Sequence, residues 1–340
     1  GVIIPAEIEE LHAYGVSRVY SPNDGQTIGL QGMIDDMLRR CHDGDDRPSA
    51  PNPAELNTGD RITLTRTITG IENGDYCDEE LAIFKDKADS VKATPILGIT
   101  GTGGAGKSSS TDEIIRRFRQ DSGDSLTIAV LAIDPTRKKT GGALLGDRIR
   151  MNAIGHSNIF MRSIATRDAT VEIPERLSEI IAAIKLSGFD LIIVETPGIG
   201  QGDAGIVPFV DTSLYVMTPE FGAASQLEKI DMLDYADIFA INKFDRNGSE
   251  DALRDVCKQV QRNREAFDRM PDKMPVFGTI ASKFNDDGIT ALYQALVPLL
   301  REKGLRDYPQ SIESLDTKKS TQTTLIIPAG QQRYLAEIAE

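Results

Sequence analysis

Histidine, cysteine and basic charge are all in short supply in this chain, and each shortage narrows its chemistry. The 340 residues hold three cysteines, Cys41, Cys77 and Cys257, far apart and without a C-x-x-C pair. A disulfide framework and a thiolate zinc site are thereby excluded, and the thiols read as reduced. The three histidines, His12, His42 and His156, are scattered, so the clustered soft donors of a metal-delivery centre are lacking. Lys and Arg number 38 against 52 Asp and Glu, for a net charge of −14. A chain so acidic lacks the basic face that nucleic acids and anionic membranes require. No apolar stretch approaches the ~20 residues of a membrane span, and the first residues do not have the pattern of a signal peptide. A cytoplasmic chain is expected, without internal repeat or low-complexity tract.

What is present is a phosphate loop. Residues 101–108 read GTGGAGKS, the G-x-x-x-x-G-K-S pattern. Gly101, Gly103, Gly104 and Gly106 allow a tight backbone turn that aims amides at phosphate oxygens, with Ala105 between them and Ser109 on the first helical turn beyond. Lys107 reaches the β- and γ-phosphates, and Ser108 offers its hydroxyl to Mg²⁺. The apolar run 95–100 before the loop reads as a buried parallel strand, and Ile114, Ile115 and Phe118 after it recur at helical spacing. The phosphates therefore belong at a helix N-terminus.

A second motif, NKFD at 242–245, follows the strand-like run 238–241. Asn242 is expected to bridge loop and purine, Lys243 to lie over the base, and Asp245 to accept from guanine N1–H and its exocyclic amine. Adenine lacks that donor pair. Ser282, within Ala281-Ser282-Lys283 at the end of a later apolar run, would meet the base edge through backbone amides. The two motifs together predict a GTP/GDP-binding protein.

Between them lie candidate metal and switch residues. The run 125–133 ends on Asp134, at the strand edge where open α/β sheets bind ligands. The run 190–198, DLIIVETPG, ends in Glu195, Thr196 and Gly198. Glu195 stands where phosphate-loop NTPases carry the Asp of their second motif, acting on Mg²⁺ directly or through water, and Thr196 is a neighbouring candidate ligand. The Gly198 amide is placed to bond the γ-phosphate and release it on hydrolysis. The loop 141–150 adds Asp147 as a metal ligand and Arg150 or Arg148 as a phosphate contact. Asp134, Lys107 and Glu195 form the expected catalytic set, with Asp134 the first choice for organising the attacking water. No Gln directly follows Gly198; Gln201 stands three residues on.

The runs LAIDPTR (131–137), GGALLGDRIRM (141–151), DLIIVETPGIGQ (190–201) and NKFD together resemble the MeaB-type, or ArgK-type, G-protein family. The resemblance covers residues 53–306. It implies a SIMIBI-like G domain and a GTPase chaperone of adenosylcobalamin-dependent acyl-CoA mutases. It also implies helices over 60–73 and 78–92, the first of which is ambiguous from its Ile and Thr content alone. Relatives in this class hydrolyse across a subunit interface, which implies a nucleotide-dependent homodimer, and a cobalamin adenosyltransferase is a further implied partner. Residues 1–42 resemble the last strands and helix of a flavodoxin-like cobalamin-binding domain, and 332–340 the entry to a mutase barrel. That arrangement resembles the fused isobutyryl-CoA mutases, and this chain an internal piece of one, with the mutase and cobalamin domains as partners in the same polypeptide. The D-x-H-x-x-G motif of a cobalt-ligating His is absent, so adenosylcobalamin is expected only in the longer protein.

The expected layout is therefore a cobalamin-domain remnant at 1–42, a linker at 43–57, a MeaB-like GTPase domain with helical lead-in at 58–305, and a tether toward a mutase domain at 306–340. Apolar runs at 95–100, 126–133, 190–195, 212–218, 238–242 and 275–280 alternate with helical stretches at 174–186, 223–233, 250–270 and 289–301. That alternation predicts an α/β fold with a mostly parallel sheet covered on both faces. Three other functions share these motifs: a nickel-insertion accessory GTPase, opposed by the scattered histidines; a small-molecule kinase, opposed by the guanine motif; and a nucleotide-sensing scaffold without significant turnover.

Overall fold

The computed structural model describes residues 3–43, 50–53, 55–134, 151–166, 173–198, 203–222, 227 and 230–321. The chain divides into two compact units, Gly1–Ala50 and Pro51–Glu340.

The first unit is helical. Pro5 opens α1 (Pro5–Tyr14), and Gly15 ends it in the left-handed region at φ 112°. The second helix, α2 (Pro22–Asp43), breaks at Gly29, whose φ of 65° and ψ of 174° are not helical. Asp36 gathers Tyr20 and Arg40, each at 2.9 Å. The strands expected here do not form: residues 3–4 and 16–20 pair with no strand among the described residues. A lone extended segment leaves its amides and carbonyls without a ladder, so it gains nothing by becoming a strand.

The second unit begins with α3 (Arg61–Asn73) and α4 (Asp78–Ser90). The Asp60 side chain accepts from Thr63 N at the start of α3, so the ambiguous segment is helical. The sheet follows: β1 (Ile96–Gly101), α5 (Lys107–Ser122), β2 (Ile128–Asp134), β3 (Ile159–Ala165), α6 (Leu177–Leu186), β4 (Leu191–Glu195), β5 (Thr212–Met217), a four-residue α7 (Met232–Tyr235), β6 (Ile238–Asn242), α8 (Ser249–Asn263), β7 (Val276–Thr279) and α9 (Asp287–Glu302). All strand pairings are parallel, in the order β3-β2-β4-β1-β5-β6-β7. On one face Leu97, Ile99, Val130 and Ile193 pack under Ile114, Ile115 and Phe118 of α5 and Leu292 and Leu296 of α9. On the other, Tyr215, Phe239 and Ile241 meet Val256 and Val260 of α8. Burial on both faces explains why the strands read as continuous apolar runs rather than alternating ones.

Three expectations need correction. The strand β3 escapes the apolar-run reading because Arg162 and Ser163 interrupt it; it lies at the sheet edge, where Arg162 pairs with Glu72 at 2.7 Å. The helix expected over 250–270 stops at Asn263, because Glu265 turns left-handed at φ 51° and Ala266 N bonds back to Gln261 O at 3.0 Å. Residues 306–321, expected to be a tether, form no helix and are bound to the domain. Leu305 and Tyr308 are buried, Asp121 accepts from Ser311 N and Ile312 N at 2.6 and 2.7 Å, and Lys319 bridges to Gly278 of β7. Backbone pairing and buried polar side chains anchor this strap with few apolar residues. Most of the expected helix 223–233 lies outside the described residues.

Candidate functional site

The site lies along the C-terminal ends of β1, β2, β4 and β6. Gly101 closes β1 at φ 145°, and a Cβ there would stand 1.9 Å from Val216 O on β5. At the loop's other end Gly106, at φ 90°, would place a Cβ 2.4 Å from Asn242 Nδ2. Both positions demand glycine, by backbone conformation and by proximity. Helix α5 begins directly at Lys107, leaving its first amides directed at the loop.

Lys107 is buried and its ammonium folds back on Gly101 O at 3.0 Å and Thr102 O at 3.3 Å. Gly198 crowds it: a Cβ there would meet Lys107 Nζ at 1.9 Å and Gly101 O at 2.5 Å. Gly198, three residues after Glu195, is thus pressed against the phosphate loop.

Glu195 is drawn to α5. Its Oε1 accepts from Ser108 Oγ at 2.6 Å and its Oε2 from Thr111 Oγ1 at 2.9 Å. The sheet register sets Ala132 beside Glu195, so the buried Asp134, two residues on, shares that face. The oxygen donors of Ser108, Glu195 and Asp134 match Mg²⁺, a hard ion that takes few protein oxygens and keeps several waters. Among the described residues no group of three or more His, Cys, Asp or Glu is placed to hold a metal. The Thr196 hydroxyl is engaged with Thr100 Oγ1 at 2.8 Å.

The NKFD segment and the 281–283 turn are braced to the same loop. Asn242 Nδ2 donates to Ala105 O at 2.7 Å, and its Oδ1 accepts from Ala281 N at 2.9 Å. One amide side chain thereby ties phosphate loop to base loop. Lys243, left-handed at φ 59°, stretches to Gly104 O at 2.7 Å. Asp245 and Ser282 are exposed beside them. Ala281 N is bound to Asn242 at 2.9 Å and Lys283 N to Ile280 O at 2.9 Å, so the residues on either side of Ser282 are pinned through their amides. Hydrogen bonding from Thr218, reinforced by Arg246, lowers the Glu220 carboxyl to about 2, so an ion pair joins the turn after β5 to the NKFD loop.

With this geometry in place, the sequence matches the family described as methylmalonyl Co-A mutase-associated GTPase MeaB over residues 64–311. The chain belongs to that family. A protein of Pyrococcus horikoshii named as a GTPase is 35% identical over 246 residues, covering 71% of this chain and 74% of that protein. The fused isobutyryl-CoA mutase of Cupriavidus metallidurans is 60% identical over 341 residues, all of this chain but 31% of that protein. This MeaB-family chain therefore spans under a third of the fused relative's length. A solved structure of LAO/AO transport system kinase superposes with a TM-score of 0.49 at 23% identity, over 74% of this chain and 78% of that one.

The fold brings together Gly103, Gly104, Ala105, Gly106, Lys107, Ser108, Glu195, Gly198 and Asn242, residues drawn from separate strands and loops. Ser109 is exposed on the first turn of α5. Asp147, Arg148, Arg150 and Gln201, and with them most of the expected switch material, lie outside the described residues. Sequence reasoning missed Thr111, which shares Glu195 with Ser108. Its position three residues after Ser108 on one helix face was the available signal.

Proposed function

We propose that this MeaB-family GTPase domain hydrolyses GTP with Mg²⁺, and that its nucleotide state gates adenosylcobalamin loading, protection or repair of an isobutyryl-CoA mutase carried in the same polypeptide. The observation that carries the hydrolytic reading is the double bracing of one loop: its helix delivers Ser108 and Thr111 to Glu195, while its Ala105 carbonyl is held by Asn242. Phosphate and base positions are thereby held in one fixed relation.

Phosphoryl transfer to water needs positioning and charge compensation more than covalent help. The glycine loop and the start of α5 hold the phosphates, and the Lys107 ammonium compensates the β- and γ-oxygens. Glu195, held at both oxygens, fixes the Ser108 hydroxyl at the metal position. Mg²⁺ bound there would neutralise the oxygens between β- and γ-phosphate. Asp134 orients the attacking water, Gly198 registers the γ-phosphate, and Asp245 with the Ser282 amide reads guanine. A nucleotide-dependent homodimer completes the hydrolytic site, and a cobalamin adenosyltransferase is the external partner. The gating role is supported by the family's association with methylmalonyl-CoA mutase and by the match of this whole chain to 31% of a fused isobutyryl-CoA mutase.

Single-turnover assays with excess protein and Mg²⁺ test the core of this reading. GTP is expected to be cleaved and ATP spared, with Lys107→Ala losing tight GTP binding. ATP cleavage at an equal rate would remove the guanine assignment, and bound GTP that is never cleaved would favour a scaffold.

A further inference from the structure

Asp286 lies at the end of the base loop and is buried, yet nothing in nucleotide binding calls for it. Its Oδ2 accepts from Ile280 N at 3.0 Å and from Ile289 N at 2.9 Å, and its Oδ1 from Ser320 Oγ at 2.6 Å. The first bond closes residues 280–286 into a ring, since it joins the loop's two ends. The second caps α9. The third reaches the strap, 34 residues further along the chain.

The junction has no slack. Gly278 N donates to Lys318 O at 2.8 Å and Ser320 N to Gly278 O at 2.9 Å. A Cβ on Gly288 would meet Gly278 O at 2.1 Å, Ser320 N at 2.8 Å and Asp286 Oδ2 at 3.0 Å. Beta strand, helix start, carboxylate and strap thus converge on one glycine. On its other side Gly278 is pressed against the Phe244 ring of NKFD, where a Cβ would approach to 2.6 Å. Packing this close transmits displacement rather than absorbing it.

We infer that Asp286 is a positioning residue that latches the guanine-base loop to the strap at Ser320, so that guanine-nucleotide occupancy and strap attachment stabilise each other. This deepens the proposed function and rests on its placement of guanine between Asp245 and Ser282. A base held there orders 281–285 and so presets Asp286 for the strap bond. Conversely, a seated strap preforms the base loop, and thermodynamic linkage makes the two effects equal. Burial pushes the Asp286 carboxyl above the usual carboxylate range, and the Ser320 hydroxyl is foremost among the bonds opposing that rise. Loss of the hydroxyl therefore leaves a buried carboxylate short of one donor.

The test is amide hydrogen exchange on the full chain with GDP and Mg²⁺, with pyrophosphate as a probe that engages the phosphate loop but no base site. GDP is expected to slow exchange at Ser320 and Thr321 about fivefold, and pyrophosphate to leave both unchanged. Ser320→Ala should abolish the slowing and weaken GDP binding by a similar factor of about five, and Ser320→Thr should restore both. Protection of the phosphate loop by GDP without any change at 320–321, or equal slowing by pyrophosphate, would overturn the latch while leaving guanine binding intact. GDP that protects neither region would remove the guanine reading and the latch together.

Discussion

At the scale of single residues, the site is built from positions where almost no other side chain fits. Gly101, Gly106 and Gly198 each face a neighbour within 2.5 Å of where a Cβ would lie, so their identity follows from contact as much as from phosphate chemistry. Asp245 has the opposite character: it is exposed, and the role proposed for it is purely one of hydrogen-bond pattern. Asp245→Asn exchanges an acceptor for a mixed group, and nucleotide competition should show preference moving from GTP toward xanthosine triphosphate; unaltered guanine selectivity would place base reading elsewhere. The thiols give a second expectation. Burial pushes Cys257 up to about 11, so little of it is thiolate at mildly alkaline pH. Cys41 and Cys77 are exposed. Iodoacetamide followed by peptide mass mapping should therefore label Cys41 and Cys77 well before Cys257, with the gap narrowing as pH rises toward 11.

At the scale of elements, α5 is the hub. Its first turns deliver Ser108 and Thr111 to Glu195, while its last turns are locked into α9 and the strap. Arg117, 1% exposed, pairs with Glu113, donates to Asp286 O at 3.1 Å and reaches Thr290 Oγ1 at 3.3 Å. Tyr293 of α9 gives its hydroxyl to Asp121 at 2.7 Å, while that residue's other oxygen holds the strap amides. Removing one partner of a buried pair costs about 3–5 kcal/mol when the other charge is left uncompensated, but Arg116, 3.4 Å from Glu113, keeps part of that compensation. Urea unfolding of Arg117→Ala should reveal a loss of about 2–3 kcal/mol, and a loss below about 1 kcal/mol would mean that the pair adds little to the fold. Helix α5 was legible in the sequence because its apolar positions and its phosphate loop are local. Its buried arginine was not, since a charged residue on an amphipathic pattern reads as solvent-facing until its partners from α9 are in place.

At the scale of the whole chain, the nucleotide domain carries its own core, and the strap returns across it to pair at β7. If hydrolysis is completed across a homodimer, light scattering on a sizing column should show a mass near 37.1 kDa doubling with a non-hydrolysable GTP analogue and Mg²⁺. A monomer that nonetheless turns GTP over would confine catalysis to one chain. The sequence by itself determined the nucleotide-binding family, because GTGGAGKS and NKFD are each contiguous and their backbone geometry is set within a few residues. It also determined the parallel α/β class, because strands buried on both faces must be continuously apolar. Only the tertiary structure decided that β4 and β5 flank β1, that Thr111 shares Glu195 with Ser108, and that the strap closes on Asp286. Those contacts join residues 84 and 34 positions apart. An apolar run records that a strand is buried but not beside which neighbour, and a buried polar bond leaves no periodic trace. Such pairings are specified by packing around a common core, which exists only once the chain has folded.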